Sequence, residues 1–177
     1  MRALLRCCLC VLLLAWAPLR AEPAHVAREL GHARLAGQGV FTWFGLTIYS
    51  AELWVGPQGY TPATPFALDL RYARSLDGRK IAEASAEQME KIGAGTEAQR
   101  AAWLEKMKAI FPDVKEGSRL TGVFLPGRGA RFYQDGRELA LVADPAFAQA
   151  FFGIWLDPAT SAGKLRAALL RDAGPKP

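Results

Sequence analysis

Histidine, the side chain that most often moves protons near neutral pH, occurs only as His25 and His32 in this chain. A histidine-based catalytic site needs a second, positioned group beside the imidazole. Both histidines stand close to the start of the chain, and their spacing is a weak metal-binding signal. We therefore expect a solvated His25, a His32 that enters a strand, and no metal site.

The carboxylates show no pairing that the sequence alone establishes. Asp77 and Asp144 each precede a helical pattern, which favours helix capping over catalysis. Asp157 stands before a proline and predicts a turn. The other carboxylates considered are Asp69, Glu83 and Asp113.

The densest chemical feature is aromatic. Five aromatic residues crowd one short stretch: Phe41, Trp43, Phe44, Tyr49 and Trp54. They are typical either of core packing or of an apolar ligand cleft with a few oriented polar groups. In the cleft interpretation, Tyr49, Arg71 and Tyr72 supply the polar groups.

Glycines precede this aromatic stretch. Gly37 and Gly39 flank Gln38, but the third glycine of a dinucleotide-binding loop is missing and a strand pattern follows. We expect these glycines to allow a bend or bulge.

The elements that must position these residues are strands first. Branched and aromatic runs predict strands at 40–44, 46–55, 66–72, 120–125, 130–134 and 138–142, with Asp135-Gly136 as a hairpin turn. Helical spacing and capping residues predict helices at 77–92, from Thr96 to about 111, from Asp144 to about 156, and at 161–171. Residues 22–31 are expected to be a weakly structured lead-in. Strands and helices come in runs, which predicts an α+β fold with an antiparallel sheet.

The first 21 residues have the pattern of a secretory signal peptide. Arg2 and Arg6 precede an apolar run over 7–17, which is short of the roughly 20 residues that span a bilayer. We expect cleavage after Ala21, with Ala17 as the second choice, and a single domain at 22–177. A retained anchor is the alternative.

Export has consequences for the mature chain. Cleavage removes Cys7, Cys8 and Cys10, so no disulfide is expected. It also removes three of the 22 basic residues, which leaves 19 basic against 17 acidic ones without clustering, and nucleic acid is not an expected partner. The composition, rich in Ala, Arg and Gly, suggests the periplasm of a Gram-negative bacterium. No cofactor is expected, and the oligomeric state is left open.

Several segments, taken in order, resemble the chalcone isomerase-like family, specifically its exported bacterial branch. They are Gly37–Phe41, Phe44–Trp54, Phe66–Tyr72, Lys80–Glu83, Phe111–Val114 and Phe151–Pro158. The resemblance covers nearly all of the chain after residue 21. It implies an open-faced β-sandwich, in which a large antiparallel sheet carries helices layered on one face.

The resemblance also implies where a site would lie. In the plant enzymes, which add a phenolate to an enone within one molecule, the catalytic arginine and strand threonine correspond to Phe41 and Phe44 here. The tyrosine and asparagine around the central helix fall near Asp77 and Ala84, and only the C-terminal threonine has a counterpart, Thr160. Losing a guanidinium that stabilises a developing oxyanion typically costs about 100-fold or more in rate. The resemblance therefore favours the fold and disfavours chalcone chemistry. Other relatives bind fatty acids and use the same arginine to hold the head group.

Three hypotheses follow. The first is a non-catalytic domain that binds a small hydrophobic ligand, such as a fatty acid, in a cleft between sheet and helices. The ligand-binding residues would be Phe41, Phe44, Tyr49, Tyr72, Ala84 and Thr160. The second is an isomerase or intramolecular lyase on another substrate, with a rebuilt site drawn from Asp77, Arg71 and Thr160. The third is a protein-interaction module whose cleft is filled core.

Overall fold

The computed structural model describes residues 22–176. The signal peptide expected at 1–21, with all three cysteines, lies outside the described residues. Within 22–176, none of the helices has the length and apolar character needed to cross a membrane.

Six strands form one antiparallel sheet whose spatial order follows the chain. The elements are α1 (Ala24–Leu30), β1 (Arg34–Trp43), β2 (Leu46–Val55), β3 (Phe66–Tyr72), α2 (Gly78–Lys91), α3 (Glu97–Ile110), β4 (Arg119–Leu125), β5 (Gly129–Gln134), β6 (Arg137–Val142), α4 (Pro145–Leu156) and α5 (Gly163–Leu169). Helices α2 and α3 are inserted between β3 and β4, which are nevertheless neighbours in the sheet. The predicted α+β class and the antiparallel sheet are confirmed.

Alternation along the strands divides the sheet into two faces. In β3, Phe66, Leu68, Leu70 and Tyr72 belong to the main core, whereas Ala67 belongs to a second cluster. Successive side chains of a strand point to opposite faces, so these two clusters lie on opposite sides of the sheet. Helices α2 to α5 contribute their buried residues to the main core, which is the helical layer that the family resemblance implied.

The second face carries the short helix α1, in the segment expected to be a weakly structured lead-in. Val26 of α1 is fully buried in the second cluster with Trp54, Ala67 and Val123. His25 is also buried rather than solvated, and its Nε2 lies 2.8 Å from Thr121 Oγ1. Tertiary packing orders a segment that is too short to be helical on its own.

The glycines of β1 allow close packing of α5. A Cβ atom on Gly37 would lie 2.1 Å from the Ala168 carbonyl oxygen, and one on Gly39 would lie 2.6 Å from a Leu165 methyl group. The strand register also shifts between Leu35 and Gly37, so the predicted bulge is present. Both features bring α5 against the sheet.

The capping predictions are confirmed. Asp77 accepts hydrogen bonds from the backbone N–H groups of Arg79 and Lys80 at the start of α2. Thr96 and Gln99 form the reciprocal capping box of α3, and Asp144 caps α4 at Phe147.

Candidate functional site: an apolar cavity between the sheet and α2 and α4

A cavity of about 370 Å³ lies between the main face of the sheet and helices α2 and α4. This volume falls within the range of about 300–1,000 Å³ that is typical of small-molecule sites. The side chains that line it are mostly aliphatic and aromatic, and they include Phe41, Trp43, Ile48, Tyr49, Leu70, Tyr72, Ile81, Ala84, Leu120, Phe132, Leu139, Phe151, Ile154 and Trp155. The aromatic stretch of the sequence therefore forms a cavity wall as well as core.

An aromatic row crosses three adjacent strands at one end of this wall. Phe41 pairs with Tyr49 and Tyr49 pairs with Tyr72 in the strand register. Phe41 stacks on Tyr49 with ring centroids 5.1 Å apart, and Tyr49 meets Tyr72 edge to face at 5.8 Å. Residues paired across strands present their side chains on one face, so the row follows from register.

The two tyrosine hydroxyls of this row differ in their partners. The Trp155 indole N–H of α4 donates to the Tyr49 hydroxyl at 3.0 Å. The Tyr72 hydroxyl makes no side-chain hydrogen bond to any residue of the described range, so it can bond a ligand. Withdrawal from bulk water raises the pKa of both tyrosines, although the Trp155 hydrogen bond opposes the rise at Tyr49. Both hydroxyls therefore stay protonated at neutral pH.

Charged side chains are confined to one helix of the lining. Among the described lining residues, the charged ones are Lys80, Glu87 and Lys91, all exposed on α2. None of the described lining residues is a histidine. The wall is thus mostly apolar, with the hydroxyls of Tyr49 and Tyr72 among its polar groups, and the exposed edge of α2 adds two ammonium groups and one carboxylate.

Four of the six predicted ligand-binding residues line this cavity. They are Phe41, Tyr49, Tyr72 and Ala84. Phe44 does not, because it occupies the tight turn between β1 and β2 and is 88% exposed.

Thr160 also lies outside the lining, although it is buried. Its hydroxyl donates to the Ile154 carbonyl at 2.6 Å and accepts from the Ala162 backbone N–H at 3.1 Å. These bonds hold the connection between α4 and α5, so the Thr160 hydroxyl proton is already donated within the fold.

The remaining candidates for a rebuilt catalytic site are also outside the cavity. Asp77 is engaged as the α2 cap. Arg71 is exposed and belongs to the opposite face of β3 from Leu70 and Tyr72, because strand side chains alternate. The structure does not bring Asp77, Arg71 and Thr160 together into a site.

Three of the other carboxylates considered have structural partners, and the fourth, Glu83, is exposed on α2. Asp113 Oδ1 accepts from the Gly78 backbone N–H at 2.8 Å, and Asp157 Oδ1 accepts from the Ala159 backbone N–H at 2.7 Å. Asp69 is buried on the α1 face, where it accepts from Arg119 and from the Thr121 hydroxyl.

Sequence reasoning missed the contribution of α4 and of the rim. Phe151, Ile154 and Trp155 of α4 belong to the main core and also roof the cavity. The missed signal was Trp155, since a buried indole N–H usually bonds an acceptor on another element. Nothing in the sequence pattern distinguished Lys80 and Lys91 from other lysines of the predicted helices.

A second depression is larger but less suited to an apolar molecule. It measures about 490 Å³, is more open, and is bounded by mainly polar and charged residues such as Asp113, Lys115, Gln134 and Arg137. Across residues 22–176, no group of three or more potential ligand side chains is placed to hold a metal ion.

The antiparallel sheet with its helical layer and apolar cavity defines an open-faced α+β domain. The chain belongs to the chalcone isomerase-like family, whose sequence profile matches residues 28–171. An uncharacterized protein of Haemophilus influenzae is 29% identical over 145 residues, which span 81% of this chain and 71% of that protein.

Among solved structures, a fatty-acid binding protein of Arabidopsis thaliana has the same fold. Its TM-score with this chain is 0.66 at 12% identity, and the match covers 80% of this chain and 88% of that one. At this identity the likeness is one of fold.

Proposed function

We propose that this protein is a non-catalytic binding domain that takes a single-chain amphiphile, such as a fatty acid, into the cavity between the sheet and helices α2 and α4. The observation that carries the proposal is the cavity itself, with its apolar walls and about 370 Å³ of space. Sites of this kind obtain affinity from apolar burial, at roughly 0.8 kcal/mol per methylene group, and orientation from a few polar groups.

The polar groups support an anionic head group at the rim. Phe41 stands where the resemblance places an arginine, and none of the described lining residues carries a guanidinium. Lys80 and Lys91 are exposed at the edge of the cavity and can hold a carboxylate in contact with water. The acyl chain would then extend toward Leu70 and Phe132.

The same lining argues against general acid–base catalysis. Such catalysis needs a group whose pKa lies near the working pH. Tyr49 and Tyr72 have their pKa values raised by burial, and the carboxylate among the described lining residues, Glu87, is exposed on α2. Of the residues named for a rebuilt site, Asp77 already caps α2 and the Thr160 hydroxyl already holds the connection between α4 and α5.

Native mass spectrometry of the protein isolated from the cells that make it tests binding directly. A stoichiometric adduct of a few hundred daltons, released on denaturation and identified as a fatty acid, is the expected result. Delipidated protein should then take up one fatty acid per chain in a saturable titration. A clean apo mass together with no saturable uptake of any acyl chain would overturn the proposal.

We further propose that the protein acts in the periplasm after removal of residues 1–21. The support is the basic start, short apolar run and small residue at position 21. Osmotic shock should release a protein whose intact mass corresponds to a chain that begins at Glu22. A full-length mass in the membrane fraction would instead indicate a retained anchor.

A further inference from the structure

The hairpin between β1 and β2 exposes an apolar tip beside the cavity. In residues 22–176 five large hydrophobic side chains are exposed, and four of them lie in this hairpin: Val40, Trp43, Phe44 and Leu46. Phe44 is 88% exposed and Trp43 is 59% exposed, and their rings meet edge to face at 5.0 Å. The exposure is therefore concentrated at one place, and clustered exposure of this kind marks an interaction site.

The backbone at the tip indicates that Phe44 is there for a reason other than folding. Trp43 pairs with Leu46, so Phe44 and Gly45 form a two-residue turn, and both have positive φ, 46° and 75°. Turns of this geometry favour Asn-Gly, because a bulky side chain at positive φ is strained. Phe44 thus combines backbone strain with an exposed ring, and such local costs are characteristic of functional positions.

The charge around the tip favours one kind of partner. From Gly39 to Ser50 the chain has no charged side chain. A cationic side chain from outside the hairpin contacts it, because the Arg74 guanidinium Nε donates a hydrogen bond to the Thr47 carbonyl at 3.1 Å. Lys80 and Lys91 stand at the rim of the cavity that Trp43 also lines, where their two ammonium groups outnumber the one carboxylate of the described lining, Glu87. Exposed Trp and Phe next to basic groups suit the interface of an anionic bilayer, where the rings enter the head-group region.

We infer that the apolar tip, Val40, Trp43, Phe44 and Leu46, docks this protein on the surface of a phospholipid bilayer that carries anionic head groups. The continuity between tip and cavity through Trp43 gives docking a purpose, namely exchange of an amphiphile between bilayer and cavity. Only that purpose rests on the proposed ligand-binding function. Docking itself depends on the hairpin and on the basic groups beside it.

Flotation of the purified protein with vesicles of phosphatidylethanolamine and phosphatidylglycerol tests the inference. Every variant is prepared in the same form, with its N-terminus established by intact mass. Wild-type protein is expected to float with these vesicles, and less with vesicles of phosphatidylcholine. Phe44→Asn should lower the partition coefficient by about tenfold or more, because a phenylalanine ring no longer enters the interface.

The same substitution carries its own folding control. Asparagine suits the left-handed position before Gly45, so Phe44→Asn should raise Tm by about 2–4 °C while it weakens docking. Leu141→Asn is a matched control, because Leu141 is the fifth exposed hydrophobic side chain and lies on β6, at the far edge of the sheet from β1. It should leave flotation unchanged.

Tryptophan fluorescence gives a second readout. Among the tryptophans that the structure describes, Trp43 is exposed while Trp54, Trp103 and Trp155 are buried. Docking should therefore shift the emission of Trp43 to the blue, and brominated lipid should quench it.

Three outcomes would overturn the inference. One is absence of flotation by the wild type, and another is equal flotation of wild type and Phe44→Asn. The third is a concentration-dependent dimer in sedimentation that Phe44→Asn abolishes, since the tip would then be covered by a second copy. Fatty-acid uptake measured without vesicles separates these results from failure of the binding proposal, because Phe44 does not line the cavity.

Discussion

The indole N–H of Trp155 donates a hydrogen bond to the hydroxyl of Tyr49 at 3.0 Å, and this bond joins α4 to β2 across the edge of the apolar cavity. Both residues line the cavity. The bond therefore fixes the distance between α4, which roofs the cavity, and the sheet. It also gives the Tyr49 hydroxyl a partner within the protein. Tyr72, its neighbour in the register, is left to bond a ligand.

Removing the Tyr49 hydroxyl should destabilise the fold more than removing that of Tyr72. Tyr49→Phe leaves the buried Trp155 N–H without its acceptor, which costs about 1–3 kcal/mol. Tyr72→Phe removes a hydroxyl without a side-chain partner in the described range and should change stability little. Urea unfolding of both variants checks the difference, and equal midpoints would contradict it.

Filling the cavity from α2 should block binding. Ala84→Trp places a large ring at the cavity wall, and affinity for a fatty acid should fall by about tenfold or more, since each excluded methylene loses roughly 0.8 kcal/mol. Ala101→Trp is the matched control, because Ala101 is an exposed helical alanine of α3 outside the lining. Calorimetric titration measures both variants. Unchanged affinity in Ala84→Trp would place the ligand elsewhere.

Neutralising the two rim lysines should selectively weaken the binding of ligands that carry a carboxylate. Lys80→Gln with Lys91→Gln should lower affinity for a fatty acid by up to about fivefold per lysine, as expected for exposed ion pairs. Affinity for the corresponding alcohol should not change. Lys164→Gln on α5, outside the lining, serves as the control. Equal losses for acid and alcohol would show that the lysines do not hold the head group.

The stability of the fold should fall in mild acid because of His25. Burial is the main cause that lowers the pKa of His25 below its usual 6.5, with Arg119 and Arg28 adding to it and Asp69 opposing it. The unfolded chain then binds the proton more tightly than the folded one. Stability should be greatest above pH 6.5 and decline as the pH falls through 6.5 toward the lower folded-state pKa.

The comparison variant for this pH effect is His25→Gln. Thr121 donates its hydroxyl proton to Asp69, so His25 Nε2 must be the donor in their 2.8 Å contact, and a glutamine amide retains a donor. Urea midpoints of the variant should change less between pH 8 and pH 5 than those of the wild type. The same pH response in both proteins would assign the effect to other groups.

Adding a methyl group to Gly37 should destabilise the protein sharply. The new Cβ would lie 2.1 Å from the Ala168 carbonyl oxygen and 2.4 Å from that of Leu169, so α5 must move off β1. Gly37→Ala should cost roughly 1–3 kcal/mol or more. Gly163→Ala, at the start of the same helix with open space around it, is the control and should be neutral. Thermal unfolding distinguishes the two.

Much of this architecture could be predicted from local patterns. The residue pattern of Phe66–Tyr72 identified a strand, and Asp77, Thr96 and Asp144 marked helix starts that the structure confirms. The strand was expected to have one buried face, but α1 covers the other face as well, so Ala67 and Asp69 are also buried. These signals depend on residues within a few positions of one another, so they survive without knowledge of the fold. Phe41, Tyr49, Tyr72 and Ala84 were placed by the aromatic pattern and the family resemblance together.

What the sequence by itself determined was thus the set of elements, their antiparallel character and the apolar nature of the wall. Tertiary structure decided which side chains share one space. The two-residue turn of Phe44 and Gly45 takes the Phe44 ring out of the wall that Phe41 joins, and the Thr160 hydroxyl holds the end of α4. Only packing against the second face made a helix of α1 and buried His25. The conformation of a short segment and the partners of a single polar group depend on long-range contacts, which local spacing does not encode.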